Sequence, residues 1–209
     1  MVTLGLIVLA VFGLIAVSEI LWRHRDIDPE YTRKFIHISV GTFVAFWPLF
    51  LTKNEIVALS AAFVVVVALS SYFNLFTVIH SVQRPTWGEV FFALSVGVLA
   101  YVADNGWIYL AALLHMSLAD GLAALIGTKY GHRTRYYVFG HAKSVVGTVT
   151  FIVVSAVIFA GFFKFTPNPF TLWFIPITLT AAFIENIAVR GFDNLLVPLL
   201  VAVSLNMLH

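Results

Sequence analysis

Asp120-Gly121-Leu122-Ala123, Gly127, Tyr130-Gly131, Lys143-Ser144 and Gly147-Thr148 set one acid, four glycines and one lysine around the end of a strongly apolar run. A carboxylate is costly in such surroundings unless something binds it. Glycines, lacking Cβ atoms, let a backbone come close to a bulky anion. An acid, a cation and accessible backbone N–H groups together suit a metal-bound polyphosphate handled at a bilayer surface.

Each candidate has a plainer role to compete with. Asp120 is either a terminal acid reaching the headgroup region or a Mg²⁺ ligand, because hard cations take carboxylate oxygens and bridge to substrate phosphates. Gly127 and Gly131 form a GxxxG pair, which serves close helix packing or, ahead of a basic loop, a backbone cradle for phosphate. Lys143 is a basic anchor or a phosphate contact, and Ser144 beside it is placed to cap the next helix. No Walker A sequence occurs; Gly140-His141-Ala142-Lys143-Ser144 matches only its end.

Arg33 and Lys34 lie four and three residues before His37. The three share one helix face and read as an anion site, with Glu30 a local ion-pair partner for Lys34 as the alternative. Thr86-Trp87-Gly88-Glu89 fits a capping box, which leaves Arg84 for a phosphate or a headgroup. Glu185 sits inside an apolar run. Asp193-Asn194 either cap the last helix or join Asp120 and Glu185 in a carboxylate cluster for Mg²⁺. His115, His80 and Glu19 carry less; Glu19 is positioned to pair with Arg23 one turn on.

The elements that must hold these groups are apolar helices. The 209 residues have a mean hydropathy of +0.98, with 61% hydrophobic and 11% charged residues. That excludes an ordinary soluble domain. Without cysteine, disulfides, thiolate metal sites and Cys nucleophiles are excluded too. A formal charge of +2 is too small to argue for nucleic acid. The apolar runs predict an all-α, polytopic membrane bundle of about eight spans, near 2–22, 35–51, 56–79, 89–103, 107–126, 145–163, 170–189 and 195–208. The first reads as a retained span, with no basic stretch before it and no small-residue cleavage site. Asp28-Pro29-Glu30 predicts a helix start, and Asp104-Asn105-Gly106 and Pro167-Asn168-Pro169 predict turns. No internal repeat is present, and residues 1–209 read as one integral-membrane domain. The longest polar connection runs from about Lys129 to Lys143.

Of the twelve Lys and Arg residues, ten fall on one side of this arrangement and only Lys53 and Lys164 on the other. The crowded side is assigned to the cytoplasm, which puts both termini opposite. Most of the ionisable candidates then crowd the cytoplasmic face. A transporter more often carries them near the midplane.

The set Pro29-Glu30 with Arg33-Lys34 and His37; Gly41; Arg84 with Gly88-Glu89; Asp120-Gly121-Leu122-Ala123 with Gly127 and Tyr130-Gly131; Lys143-Ser144 with Gly147-Thr148; and Glu185 with Asp193-Asn194 and Pro198 resembles the polyprenol kinase family. These are CTP-dependent membrane lipid kinases acting on phytol, farnesol, dolichol or diacylglycerol, with distant kinship to phosphatidate cytidylyltransferases. The compact chain is most similar to the phytol kinase branch. The resemblance implies CTP as donor, Mg²⁺, and a lipid alcohol as acceptor. One departure is that relatives often carry an acid shortly after the Lys-Ser pair, where this chain has Val145-Val146. Metal binding then falls to Asp120, Glu185, Asp193 and Asn194.

The expected reaction is transfer of the γ-phosphate to an isoprenoid hydroxyl. Lys143, Arg33, Lys34, Arg84, Ser144, Gly147 and Thr148 would contact phosphate, and Gly121, Gly127 and Gly131 would admit it. Asp120 or His37 would orient the hydroxyl. The rivals are a cytidylyltransferase acting on a phosphorylated lipid and a non-enzymatic lipid transporter.

Overall fold

The computed structural model describes residues 5–11, 13, 14, 16, 17, 29–73 and 87–208. Arg84, His80, Glu19 and Thr86 lie outside them.

Helix starts follow local chemistry. Helix α1 (Pro29–Ala45) begins at its proline, whose fixed φ suits a first helical position. Ahead of α2 (Lys53–Phe73), the Thr52 N–H and hydroxyl both donate to Glu55 Oε2 at 2.8 Å. That carboxylate satisfies groups the helix itself cannot. Helix α3 (Gly88–Val102) follows the connection after α2. Asn105 caps α4 (Gly106–Leu114) by accepting from the N–H groups of Trp107 and Ile108. A π-helical segment, His115–Ala119, carries α4 without a break into α5 (Asp120–Tyr130), making a single 25-residue rod. Ser144 caps α6 (Val145–Phe165), its Oγ accepting from Gly147 N at 3.1 Å. Helices α7 (Phe174–Ile187) and α8 (Asp193–Leu208) complete the order, and residues 5–11 are also helical.

One expectation is corrected. The chain is mostly helical but not all-α: within the polar connection, β1 (Arg135–Val138) pairs antiparallel with β2 (His141–Ser144). Val138 faces His141, so the turn is Phe139-Gly140, with φ of +48° and +79°. Both positive values mark a type I′ turn, whose twist matches its strands. The capping box expected at Thr86 rests on a residue outside the described ones. Helix α3 has Trp87 at its N-cap with no side-chain bond from that residue. Trp87 N instead donates to Arg190 O at 3.0 Å, tying this start to the turn before α8.

The α4–π–α5 rod is the centre of the packing. Ile108, Tyr109, Ala111, Ala112, Leu113, Met116 and Ala119 are all essentially enclosed. Helices α1, α6 and α8 pack around it, and α3 packs between α2 and α8. The outer helices turn apolar stripes outward: Val145, Val149, Val153 and Val157 on α6, and Ile175, Leu179 and Phe183 on α7. Apolar faces of that extent are unfavourable against water and suit a hydrocarbon surrounding. Among the described residues, Gly106–Tyr130 and Val145–Phe165 are long and apolar enough to cross a membrane. Gly88–Val102, Phe174–Ile187 and Asp193–Leu208 are apolar but shorter, so the count of eight spans is not established.

Candidate active site

Asp120 stands where the π segment returns to α-helix, and it is 4% exposed. Two residues one turn apart on α1 reach it. Lys34 Nζ donates to Asp120 Oδ2 at 2.7 Å, and His37 Nε2 lies 3.6 Å from the same oxygen. Nε2 also lies 2.9 Å from the Met116 carbonyl. A carbonyl only accepts, so the proton sits on Nε2 and the Nδ1 lone pair is left available in the neutral ring. The shared face expected for Lys34 and His37 is present, and Lys34 takes Asp120 as its partner.

A second ion pair lies across the same hollow. Lys143, on β2, donates from Nζ to Glu185 Oε1 at 2.5 Å and to the Glu185 carbonyl at 2.8 Å. Glu185 is 6% exposed near the end of α7. Burial disfavours the Lys143 ammonium, but the carboxylates of Glu185, Asp120 and Asp193 together outweigh it, and its pKa stands above the ordinary lysine value. Asp193 and Asn194 open α8. Asn194 Nδ2 donates to Gly88 O at 2.9 Å, and Ser95 donates to Asn194 O, which fixes the start of α8 against α3.

These groups line one cavity of about 520 Å³. Its wall includes Arg33, Lys34, Arg135, Lys143 and Arg190 against the acids Asp120, Glu185 and Asp193. Five cations against three carboxylates leave it net positive, which suits a polyanion. Gly127, Ser144, Gly147, Thr148 and Asn194 also line it. A Cβ on Gly127 would meet Ser144 Oγ at 2.8 Å and Gly147 Cα at 3.1 Å, so this glycine brings α5 against the start of α6 as well as facing the cavity.

Not every sequence candidate faces the hollow. Gly121 is turned to Ile38 of α1, and Gly131 to Ser144 and the Gly127 carbonyl. Both serve close packing, not a cradle. His37 lies behind Asp120, outside the cavity wall. The hydroxyls of Ser144 and Thr148 already have protein partners: Ser144 caps α6, and Thr148 bonds Tyr136 at 2.7 Å and Asn186 at 3.2 Å. The Tyr136 hydroxyl also donates to Asn186 Oδ1, linking the hairpin to α7.

Arg135, His141 and Arg190 line the cavity although sequence reasoning had not named them as site residues. Their available signal was adjacency: the arginines fell in the two loops that also supply Lys143 and Asp193, and His141 lies two residues before Lys143. Among the described residues, no three His, Asp or Glu side chains are grouped closely enough to hold a metal ion. Asp120, Glu185 and Asp193 nevertheless interact electrostatically across the cavity. Mg²⁺ needs only one or two protein carboxylates when substrate phosphates supply further oxygens, and this donor set fits that mode of binding.

No protein-family model and no solved structure matches the chain. It is 32% identical over 208 residues to the phytol kinase of Synechocystis sp., an alignment covering 95% of this chain and 88% of that protein.

Proposed function

The chain belongs to the polyprenol and phytol kinase family, and on that premise we propose that it phosphorylates a membrane isoprenoid alcohol from cytosolic CTP. The observation that carries this reading is two ion pairs facing one cavity, Lys34 with Asp120 and Lys143 with Glu185. Each pair can exchange partners. A triphosphate takes the lysines, and the released carboxylates become available to Mg²⁺. Phosphoryl transfer asks for this neutralisation and for in-line positioning, with little covalent help from protein.

Lys34, Lys143 and Arg33 bind phosphate oxygens, with Arg135 and Arg190 closing the cationic wall. Asp120, with Glu185 or Asp193 and Asn194, would hold Mg²⁺, which would supply neutralisation of phosphate charge. His37 receives the acceptor. The alcohol oxygen forms a bond to the γ-phosphorus as the bridge to the β-phosphate breaks. The hydroxyl proton passes to Asp120 or His37, and the nucleoside diphosphate leaves. The apolar runs and the Lys/Arg asymmetry support an eight-span topology with this cavity on the cytoplasmic side and both termini opposite, and the exposed apolar stripes suit a hydrocarbon surrounding.

Purified protein with Mg²⁺, a panel of nucleoside triphosphates and a panel of lipid alcohols tests the reading. Label at the γ-phosphate of CTP is expected in the lipid product. Transfer of α-label with pyrophosphate release would replace the kinase by a cytidylyltransferase, and flux without nucleotide consumption would replace it by a transporter.

A further inference from the structure

A second hollow lies along α1, starting one turn beyond His37. It measures about 110 Å³ and is walled by the helical N-terminal residues Ile7 and Val11 with α1, α2 and α3. Val40 and Val44 line it on α1, three and seven residues beyond His37 and therefore on the same helix face. Phe92 lines it on α3 and packs edge-on against the His37 ring, with centroids 5.4 Å apart. One imidazole thus packs against Phe92 of the apolar wall and stands 3.6 Å from Asp120 of the larger cavity. The lining is almost wholly hydrocarbon, and the Ser60 hydroxyl within it is committed to Ala93 O at 2.6 Å.

We propose that this groove seats the prenyl unit next to the hydroxyl of the acceptor alcohol and so selects isoprenoid alcohols over diacylglycerol. The inference rests on the kinase reading above. An apolar cavity of about 150 Å³ takes one small hydrocarbon such as benzene, so a hollow of this size fits a single branched unit, and the rest of the chain lies among lipid. A chain seated there presents its oxygen at His37. Diacylglycerol carries two ester carbonyls close to its hydroxyl. Ser60 is committed to Ala93 O, and the one unpartnered donor in the lining, Trp47 Nε1, cannot serve both carbonyls, so at least one would be buried unpaired, which is unfavourable.

Two readouts on the full-length protein in lipid nanodiscs test this. A farnesol analogue with a photoreactive diazirine in its first prenyl unit should label groove residues of α1, α2 or α3. Geranylgeraniol should compete for that label, and dioleoylglycerol should not. Val44→Phe, which fills the groove, should raise KM for geranylgeraniol about tenfold while leaving KM for the nucleotide unchanged. Label elsewhere, label that dioleoylglycerol displaces equally, or an unaltered acceptor KM in a folded Val44→Phe protein overturns the proposal. Should Val44→Phe not fold, the labelling of unsubstituted protein decides alone. Unsubstituted protein that phosphorylates none of the alcohols sinks the kinase reading itself, and the groove's acceptor role with it.

Discussion

Two hollows, one lined by Asp120 and the other by Phe92, both neighbours of His37, are built from opposite materials. The larger, of about 520 Å³, is walled by ion pairs and irregular backbone: a hairpin, a turn and the ends of helices. The smaller, of about 110 Å³, is walled by the flanks of regular helices carrying Val, Phe and Ala. The difference follows from backbone chemistry. A helix satisfies its own N–H and C=O groups and can enclose a hydrocarbon space deep in an apolar bundle, whereas turns and charges need water or each other. The chain therefore separates a chemistry end from a recognition flank. His37 lines neither, yet it packs against Phe92 of one and stands 3.6 Å from Asp120 of the other.

The largest effects that would break this division come from the ion pairs. Asp120→Asn and Lys143→Ala should each lower kcat by on the order of 1000-fold in protein that remains inserted, whichever alcohol is supplied. Radiolabelled product formation measures this; full activity in both variants would remove the cavity from the reaction. His37→Gln should lower kcat by about 100-fold with nucleotide KM unchanged, since the residue lies outside the cavity wall. A steady-state split of kcat from KM reads it, and a nucleotide KM that rises instead would place His37 with the phosphates.

Gly127→Ala sharpens the comparison on the packing side. The added methyl would press on Ser144 and on the Gly147 backbone, prising α5 from α6, and about 1–3 kcal/mol of stability should be lost. Thermal unfolding of the purified protein measures that, with activity expected to fall about tenfold because Lys143 precedes the displaced cap. The smallest effect is on the apolar flank. Ser60→Ala removes the hydroxyl that bonds Ala93 O and should cost about 1 kcal/mol, with nucleotide KM within about twofold of the parent. A large nucleotide effect from this position would erase the separation.

What was legible in the sequence were the anomalies. Asp120, Lys143, Glu185 and Asp193 stand out because charge is rare in an apolar chain, and the structure gathers all four at one cavity. Ser144 was legible as a cap because a hydroxyl preceding a helical run has one common use. Gly121 and Gly131 were assigned to a phosphate cradle, yet they face Ile38 and Ser144. A missing Cβ serves close approach to a ligand or to another helix equally well, and sequence alone does not say which. The hairpin escaped notice because its strands are only four residues each and its turn carries Phe139 where Asn or Gly usually signals a type I′ turn. Arg135 and Arg190 were counted among loop charges, because nothing local tells a charge facing a hollow from one facing solvent.

The π-helical stretch His115–Ala119 acts as a phase shifter in the central rod. An α-helix turns about 100° per residue, and a π turn accommodates one residue more than an α turn would. Excising any single residue between Leu114 and Asp120 would restore ordinary winding and swing the buried shaft of α4 by roughly a quarter of a revolution relative to Asp120. The aim of that carboxylate toward Lys34 is thus set by a miscount in the winding, made inside the one helix whose neighbours leave it no room to rotate.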